Sequence, residues 1–109
     1  MKMTEDLTRE ALIENLNSKF HMPFPSGETL ELELIEVVDH QSAPGQEQFS
    51  AFFRAPLNAP LMQGIYQLEH AQFGSFGIFL VPVGRDERGV EYEALFNRLA
   101  DTEATESNS

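Results

Sequence analysis

From Lys19 onward, apolar and polar residues alternate in short runs separated by residues typical of turns. The clearest run is TLELELIEVVDH at 29–40, where leucines alternate with glutamates. Because successive side chains of a strand point to opposite faces, such a run predicts a strand with one apolar and one polar face. Six runs of this kind follow one another, at 20–24, 29–40, 49–55, 65–71, 76–83 and 90–96. The fold is therefore predicted to be mainly β.

The connections between these runs are short and rich in turn residues, as in PSG at 25–27 and GRDERG at 84–89. Parallel strands need crossovers of about a dozen residues or more, so short connections favour antiparallel pairing. The sequence predicts a small antiparallel six-stranded barrel or sandwich.

Three positions predict local irregularities in the strands. The apolar residues change parity between Leu34 and Ile35, which indicates a β-bulge or a change from one-sided to two-sided burial. Pro82 places a strand end or a bulge at that point, because proline cannot donate to a sheet ladder. Gly74 supplies a positive φ to the turn before 76–83, and Gly84 is expected to end that strand.

Residues 4–17, TEDLTREALIENLN, are predicted to form one short N-terminal helix. Thr4 or Thr8 can cap it, and acidic residues suit the positive end of its dipole. An apolar stripe recurs at helical spacing and consists of Leu7, Leu12, Ile13 and Leu16. A helix of this length is not stable alone, so we expect it to pack on an end or face of the sheet.

The chain of 109 residues suits one domain, which we place at 4–99. Residues 100–109, ADTEATESNS, are acidic and lack an apolar anchor, so this tail is expected to be disordered. Nine phenylalanines carry no polar group, and most are expected in the core.

Eighteen acidic residues against seven Lys and Arg give a net charge of −11. This charge repels nucleic-acid phosphates and anionic membranes, so neither is expected as a partner. The absence of cysteine excludes disulfides, thiolate metal sites and cysteine nucleophiles, and nothing in the composition demands an oxidising compartment. No signal-peptide pattern or transmembrane run is present, which predicts a cytoplasmic protein.

His70 beside Glu69 is the sharpest candidate for chemistry, because a carboxylate can orient an imidazole. Adjacent residues of a strand point to opposite faces, however, so a structural role for His70 is the preferred interpretation. The spacings between His21, His40 and His70 match no short metal-ligand motif, and no catalytic signature occurs. We therefore predict no enzyme activity, no metal and no cofactor.

The remaining candidates are surface residues suited to contacts. Arg54 is expected to pair with Glu69 or Glu93 across the strands. The connection PLNAPLMQG at 56–64 carries large apolar side chains that are expected to be exposed. A strand edge near Pro82 is a further candidate. The candidate interaction or ligand residues are Arg54, Leu57, Leu61, Met62 and His70.

The stretches FSAFFRAP, LMQGIYQLEHAQFGSFGIFLVPVG and YEALFN resemble a family of small bacterial domains of uncharacterised function. The likeness covers about residues 7 to 97. It implies a compact β-rich domain and a setting among phage-tail-like and tail-collar components, without a catalytic signature. The matching positions are Phe49, Phe53, Arg54, Gly64, Tyr66, Leu68, Glu69, His70, Pro82, Tyr92, Glu93 and Asn97.

Three functional hypotheses follow. The first is a non-enzymatic structural or protein-interaction module, associated with a phage-tail-like assembly, whose protein partner is unidentified and which can also self-associate. The second is a small-ligand-binding barrel, although six closed strands leave little room inside. The third is a small enzyme that uses His70.

Overall fold

The structure is a computed structural model that describes residues 7–40 and 46–99. One short helix precedes six strands. The elements are α1 (Arg9–Glu14), β1 (Lys19–Pro23), β2 (Thr29–Asp39), β3 (Gln46–Ala55), β4 (Gly64–His70), β5 (Gly74–Asp86) and β6 (Gly89–Leu99). The sequence QSAPGQEQ at 41–48 predicts a polar loop; residues 41–45 lie outside the described residues, and 46–48 belong to β3 instead of the loop. The predicted tail at 100–109 also lies outside the described residues.

The strands form a closed barrel in the order β1-β2-β3-β6-β5-β4. Every pair of neighbours is antiparallel. The mainly β fold with one short N-terminal helix is confirmed, and of the two predicted architectures the chain adopts the barrel. The barrel closes where His21 of β1 lies opposite Glu69 of β4. No helix of the described part is long and apolar enough to cross a bilayer.

The alternation of the sequence separates the inside of the barrel from its outside. In β2, Leu30, Leu32 and Leu34 are buried while the glutamates between them face outward. Six of the nine phenylalanines are buried, as expected, and these are Phe20, Phe49, Phe53, Phe73, Phe76 and Phe96. The ring of Phe20 meets Phe53 edge-on at a centroid distance of 5.2 Å. Aromatic side chains thus fill the middle of the barrel.

Of the three predicted irregularities, two coincide with register shifts in the strand pairing, and the third, Gly74, has the expected positive φ of 74°. The pairing of β2 with β3 shifts between Leu34 and Glu36, where the apolar residues change parity. The pairing of β5 with β6 shifts between Pro82 and Gly84. Beyond Leu80, β5 has no pairing with β4, so Pro82 lies where β5 pairs with β6 alone. Toward β4, no ladder donor is therefore needed from Pro82.

The helix is shorter than predicted. It begins after Thr8, whose side chain accepts a hydrogen bond from the Ala11 N–H at 3.1 Å, and it ends at Glu14 rather than at residue 17. Asn17 has a positive φ of 71°, which no helix residue adopts, so the chain turns there into β1. Leu7 and Leu12 are buried in the core.

The prediction of a six-residue loop at 84–89 is wrong. Strand β5 continues through Gly84 to Asp86, and β6 starts at Gly89. Polar residues continue the pairing there, with Arg85 opposite Val90 and Asp86 opposite Gly89. A charged, glycine-containing sequence can therefore form the paired end of a long hairpin as well as a loop.

Candidate functional site

A strip of apolar side chains lies on the outer face of β4, β5 and β6. Ile65 is 78% exposed, Phe79 50% and Leu95 58%. Ile65 lies opposite Phe79 in the pairing of β4 with β5. With Val81, which is half-buried, these residues form what we call the outer strip: Ile65, Phe79, Val81 and Leu95. Contiguous exposed apolar residues on three adjacent strands are typical of a contact surface.

A groove runs along the strip between β5 and β6. Its volume is about 330 Å³, and it is lined by Phe79, Val81, Glu93 and Leu95. Glu93 lies opposite Val81 in the strand pairing and is half-buried. The groove thus has three apolar walls and one carboxylate.

The carboxylate of Glu93 is held by Ser50 of the neighbouring strand β3, and Ser50 is in turn contacted by His40, which follows β2. The Ser50 hydroxyl donates to Glu93 Oε2 at 2.6 Å. His40 Nε2 lies 2.7 Å from Ser50 Oγ. Because the single hydroxyl proton of Ser50 points to Glu93, His40 must be the donor in the second bond. Ser50 is fully buried, so its hydrogen bonds fix the carboxylate without competition from water.

The direction of hydrogen-bond donation among His40, Ser50 and Glu93 differs from that around a nucleophilic serine. A catalytic serine gives its proton to a histidine that a carboxylate orients. Here the serine gives its proton to the carboxylate, and it is 0% exposed. A substrate carbonyl cannot approach a hydroxyl in that position. The arrangement is suited to holding Glu93 in place.

His70, the predicted candidate, is buried and makes two hydrogen bonds. Its Nδ1 accepts from the Gln72 N–H at 3.0 Å, so the ring proton is on Nε2. That nitrogen lies 3.0 Å from Ser18 Oγ, which in turn donates to the Asn15 carbonyl at 2.6 Å. Burial, followed by the nearby His21, lowers the pKa of His70 below its usual value of 6.5. A neutral imidazole therefore ties the end of the helix to the β4–β5 turn.

The three imidazoles have separate partners. His21 is on the outer face and lies 3.9 Å from Glu31. His40 contacts Ser50, and His70 contacts Ser18. Within residues 7–40 and 46–99, no three histidine or acidic side chains are grouped to hold a metal ion.

The predicted partners of Arg54 are wrong. Arg54 lies opposite Glu33 of β2 and Glu91 of β6, because β3 is between those two strands. Glu69 is on β4, and Glu93 is opposite Phe52. Among the described residues, no carboxylate is within 4.0 Å of the Arg54 guanidinium. Arg54 instead lines a cleft of about 170 Å³ that mixes cations with carboxylates, formed by Lys19, Glu31, Glu33, Arg54, Ala55, Pro56 and Arg88.

The connection from β3 to β4 exposes the three apolar residues that the sequence analysis selected. Leu57 is 46% exposed, Leu61 59% and Met62 69%. Two tyrosines hold this connection to the barrel. Tyr92, fully buried, donates to the Pro60 carbonyl, and Tyr66 donates to the Met62 carbonyl at 2.6 Å.

A family model for a domain of unknown function, DUF6916, matches residues 7–96. The chain belongs to this family. The match covers the helix, both register shifts and the barrel as far as residue 96 of β6, in agreement with the resemblance to small uncharacterised domains. No curated protein and no solved structure matches the chain significantly.

The DUF6916 family description assigns no activity, so function has to be inferred from the geometry of this member. The outer strip and the Glu93 groove escaped the sequence analysis. One signal for the outer strip was present in the sequence. Phe79 and Leu95 are large apolar residues at the outward-facing positions of runs whose inward-facing positions are already apolar. The bonds of Ser50 had no such signal, since His40 and Glu93 are 10 and 43 residues away.

Proposed function

We propose that this chain is a non-enzymatic protein-interaction module that binds a partner protein through the outer strip. The observation that supports this function best is the exposure of Ile65, Phe79 and Leu95 on three adjacent strands. Apolar side chains on a barrel's outer face contribute nothing to its core, and their burial against a partner releases water from all of them at once.

The packing inside the barrel favours this function over ligand binding. Phe20 contacts Phe53, Phe73 and Phe76 at centroid distances of 5.2, 6.1 and 6.2 Å. Such rings occupy the space in which a six-stranded barrel would hold a small molecule. The bonds of His70 favour a structural role over an enzymatic one, since both of its ring nitrogens are engaged.

The resemblance in the sequence supplies the setting of the proposal, a small component associated with a phage-tail-like assembly. A cytoplasmic location before assembly fits a chain without cysteine. The exposed connection with Leu57, Leu61 and Met62 extends the proposed contact surface at the end of the barrel.

Site-specific photocrosslinking in the source organism tests the proposed function. A benzophenone amino acid replaces Phe79 in one variant and Glu31 in a control. Both positions are outward-facing and about equally exposed, at 50% for the Phe79 residue and 57% for the Glu31 side chain. We expect a defined crosslinked product from position 79, identified by mass spectrometry, and none from position 31. Equal products from both positions, or none from position 79, would contradict the proposal.

A further inference from the structure

We propose that the Glu93 groove receives an arginine or lysine side chain of the partner, flanked by apolar residues. This inference rests on the proposed function and specifies the chemistry of the partner segment. It is carried by the combination, in one groove, of a positioned carboxylate and apolar walls.

Glu93 has one carboxylate oxygen engaged and one available. Oε2 accepts the Ser50 hydroxyl at 2.6 Å. Among the described residues, no donor or cation is within bonding distance of the other oxygen. The carboxylate is half-buried in the groove, and the buried Ser50 hydroxyl, which itself accepts a hydrogen bond from His40, fixes its orientation. A fixed acceptor with a free oxygen favours a charged donor over water.

The walls of the groove suit the stem of a long cationic side chain. Phe79, Val81 and Leu95 surround Glu93 with apolar surface. Arginine and lysine lay their methylene groups along such a surface while the charged end reaches a polar partner. The exposed ring of Phe79 also offers a face to a guanidinium. A volume of about 330 Å³ accommodates one such side chain together with part of a neighbour.

Charge selects the partner among possible occupants. The chain's own C-terminal stretch carries Asp101, Glu103 and Glu106 and no Lys or Arg after Arg98, so it is repelled by Glu93. Two copies of a chain with net charge −11 repel each other. A basic partner is attracted by the same charge, which steers its approach to the groove.

A peptide selection tests this inference on the full chain. Random short peptides displayed on phage are selected on the immobilised protein, and the most enriched sequence is synthesised. We expect the enriched peptides to share an arginine or lysine between apolar residues. Replacing that cation by glutamine, or introducing Glu93→Gln, should weaken binding about tenfold, and the two changes together should add little more.

Glu91→Gln is the matched control, since it removes the same charge from the same outward face of β6. In Glu93→Gln, the new amide oxygen still accepts the Ser50 hydroxyl, and circular dichroism checks that the variant is folded. Equal losses in Glu91→Gln and Glu93→Gln would overturn the inference, as would enriched peptides without a common cation. A dimer that forms through the strip, seen by light scattering, would overturn it too.

Phe79→Ser separates this inference from the proposed function. If Phe79→Ser abolishes peptide binding while Glu93→Gln leaves it unchanged, the strip binds partners without the cation, and only the inference fails. If no peptide depends on Phe79, the inference fails as well. The crosslink from position 79 then decides the proposed function independently.

Discussion

Tyr92 places one hydroxyl inside the barrel and satisfies it with the Pro60 carbonyl. Burial, with a smaller effect of Tyr66, raises the pKa of Tyr92 to about 12. We predict that Tyr92→Phe lowers the free energy of unfolding by about 1–2 kcal/mol, because the part-buried Pro60 carbonyl loses its hydrogen-bond donor. Urea denaturation measures the change. Tyr66→Phe is the control and should change it by about 0.5 kcal/mol or less, since that bond is exposed.

The optical titration of Tyr92 checks the same contact. The chain has two tyrosines and no tryptophan, so in Tyr66→Phe the phenolate absorbance reports Tyr92 alone. In this variant, ionisation should appear well above the usual value of 10.0 or on unfolding, since burial, the larger cause of the raised pKa, remains when Tyr66 is removed. The raised pKa contributes stability that is complete below pH 10 and declines as the pH rises through 10 to about 12. Titration at the usual value of 10.0 would show that the hydroxyl is in contact with water.

His70 is expected to make the fold sensitive to mild acid. Its pKa is lowered in the folded chain, so below pH 6.5 the unfolded chain binds a proton that the folded chain does not. Stability therefore decreases as the pH falls from 6.5 toward the lowered value. The protonated ring also loses its bond from the Gln72 N–H. We predict that Tm decreases over this range in differential scanning calorimetry, and that His70→Gln removes this part of the decrease.

His21→Gln is the control for the acid prediction, because His21 is exposed and its contact with Glu31 is long, at 3.9 Å. Its pH profile should keep the wild-type shape apart from a small relief of repulsion on His70. An unchanged profile in His70→Gln would assign the acid sensitivity to other groups.

Among the elements, the β5–β6 hairpin is fixed by a close approach at Gly89. Gly89 has a φ of 136°, and a Cβ there would lie 2.0 Å from the Ala55 carbonyl oxygen. Neither backbone can move without disturbing the pairing of β3 with β6. We predict that Gly89→Ala lowers the free energy of unfolding by about 3 kcal/mol, from strain and steric clash together. Chemical denaturation followed by circular dichroism measures this loss.

Gly74→Ala is the control for the hairpin, since Gly74 has a φ of 74° but no atom within 4 Å of an added Cβ. Conformational strain alone should then lower stability by about 1 kcal/mol. Equal losses of stability in Gly74→Ala and Gly89→Ala would contradict the predicted clash, since they would indicate that β3 and β6 separate readily at Gly89.

The elements of this fold could be predicted because their signals are local. A period of two marks the strands, and the change of parity at Leu34 and Ile35 marks a bulge wherever the strand pairs. Proline at position 82 indicates an irregularity in the strand pairing by itself, and glycine at position 74 indicates a positive φ. Element ends were less predictable, since the polar residues of 84–89 serve a strand pair as well as a loop.

The candidate site depends on which strands are neighbours, and local pattern does not contain that information. β3 pairs with β2 and β6, and β6 is far from it in sequence. This order alone brings Ser50 to Glu93 and places Arg54 opposite Glu91 instead of Glu93. Single outward-facing apolar residues such as Phe79 are also common on protein surfaces, so their alignment with Ile65 and Leu95 is visible only in the folded sheet.

For the whole molecule, the eighteen acidic side chains far outnumber the seven lysines and arginines that could pair with them. Arg9 pairs with Asp39 and Lys19 with Glu33, both at the surface, where ion pairs contribute little. The net charge of −11 therefore acts mainly as repulsion within the folded chain. Added sodium chloride screens this repulsion, so salt is expected to raise Tm over the range in which the Debye length falls from about 30 Å to about 8 Å.

The same salt should act in the opposite direction on binding. Attraction between an acidic barrel and a cationic peptide is screened as the salt concentration rises, so affinity should fall while Tm rises. Calorimetric titration of the selected peptide and thermal unfolding of the free chain, in the same buffers, measure the two trends. Glu93→Gln should flatten the decrease of affinity with salt. It should leave the increase of Tm with salt almost unchanged, because it removes one of eighteen acidic side chains. An affinity that increases with salt would indicate that the strip binds by apolar contact alone.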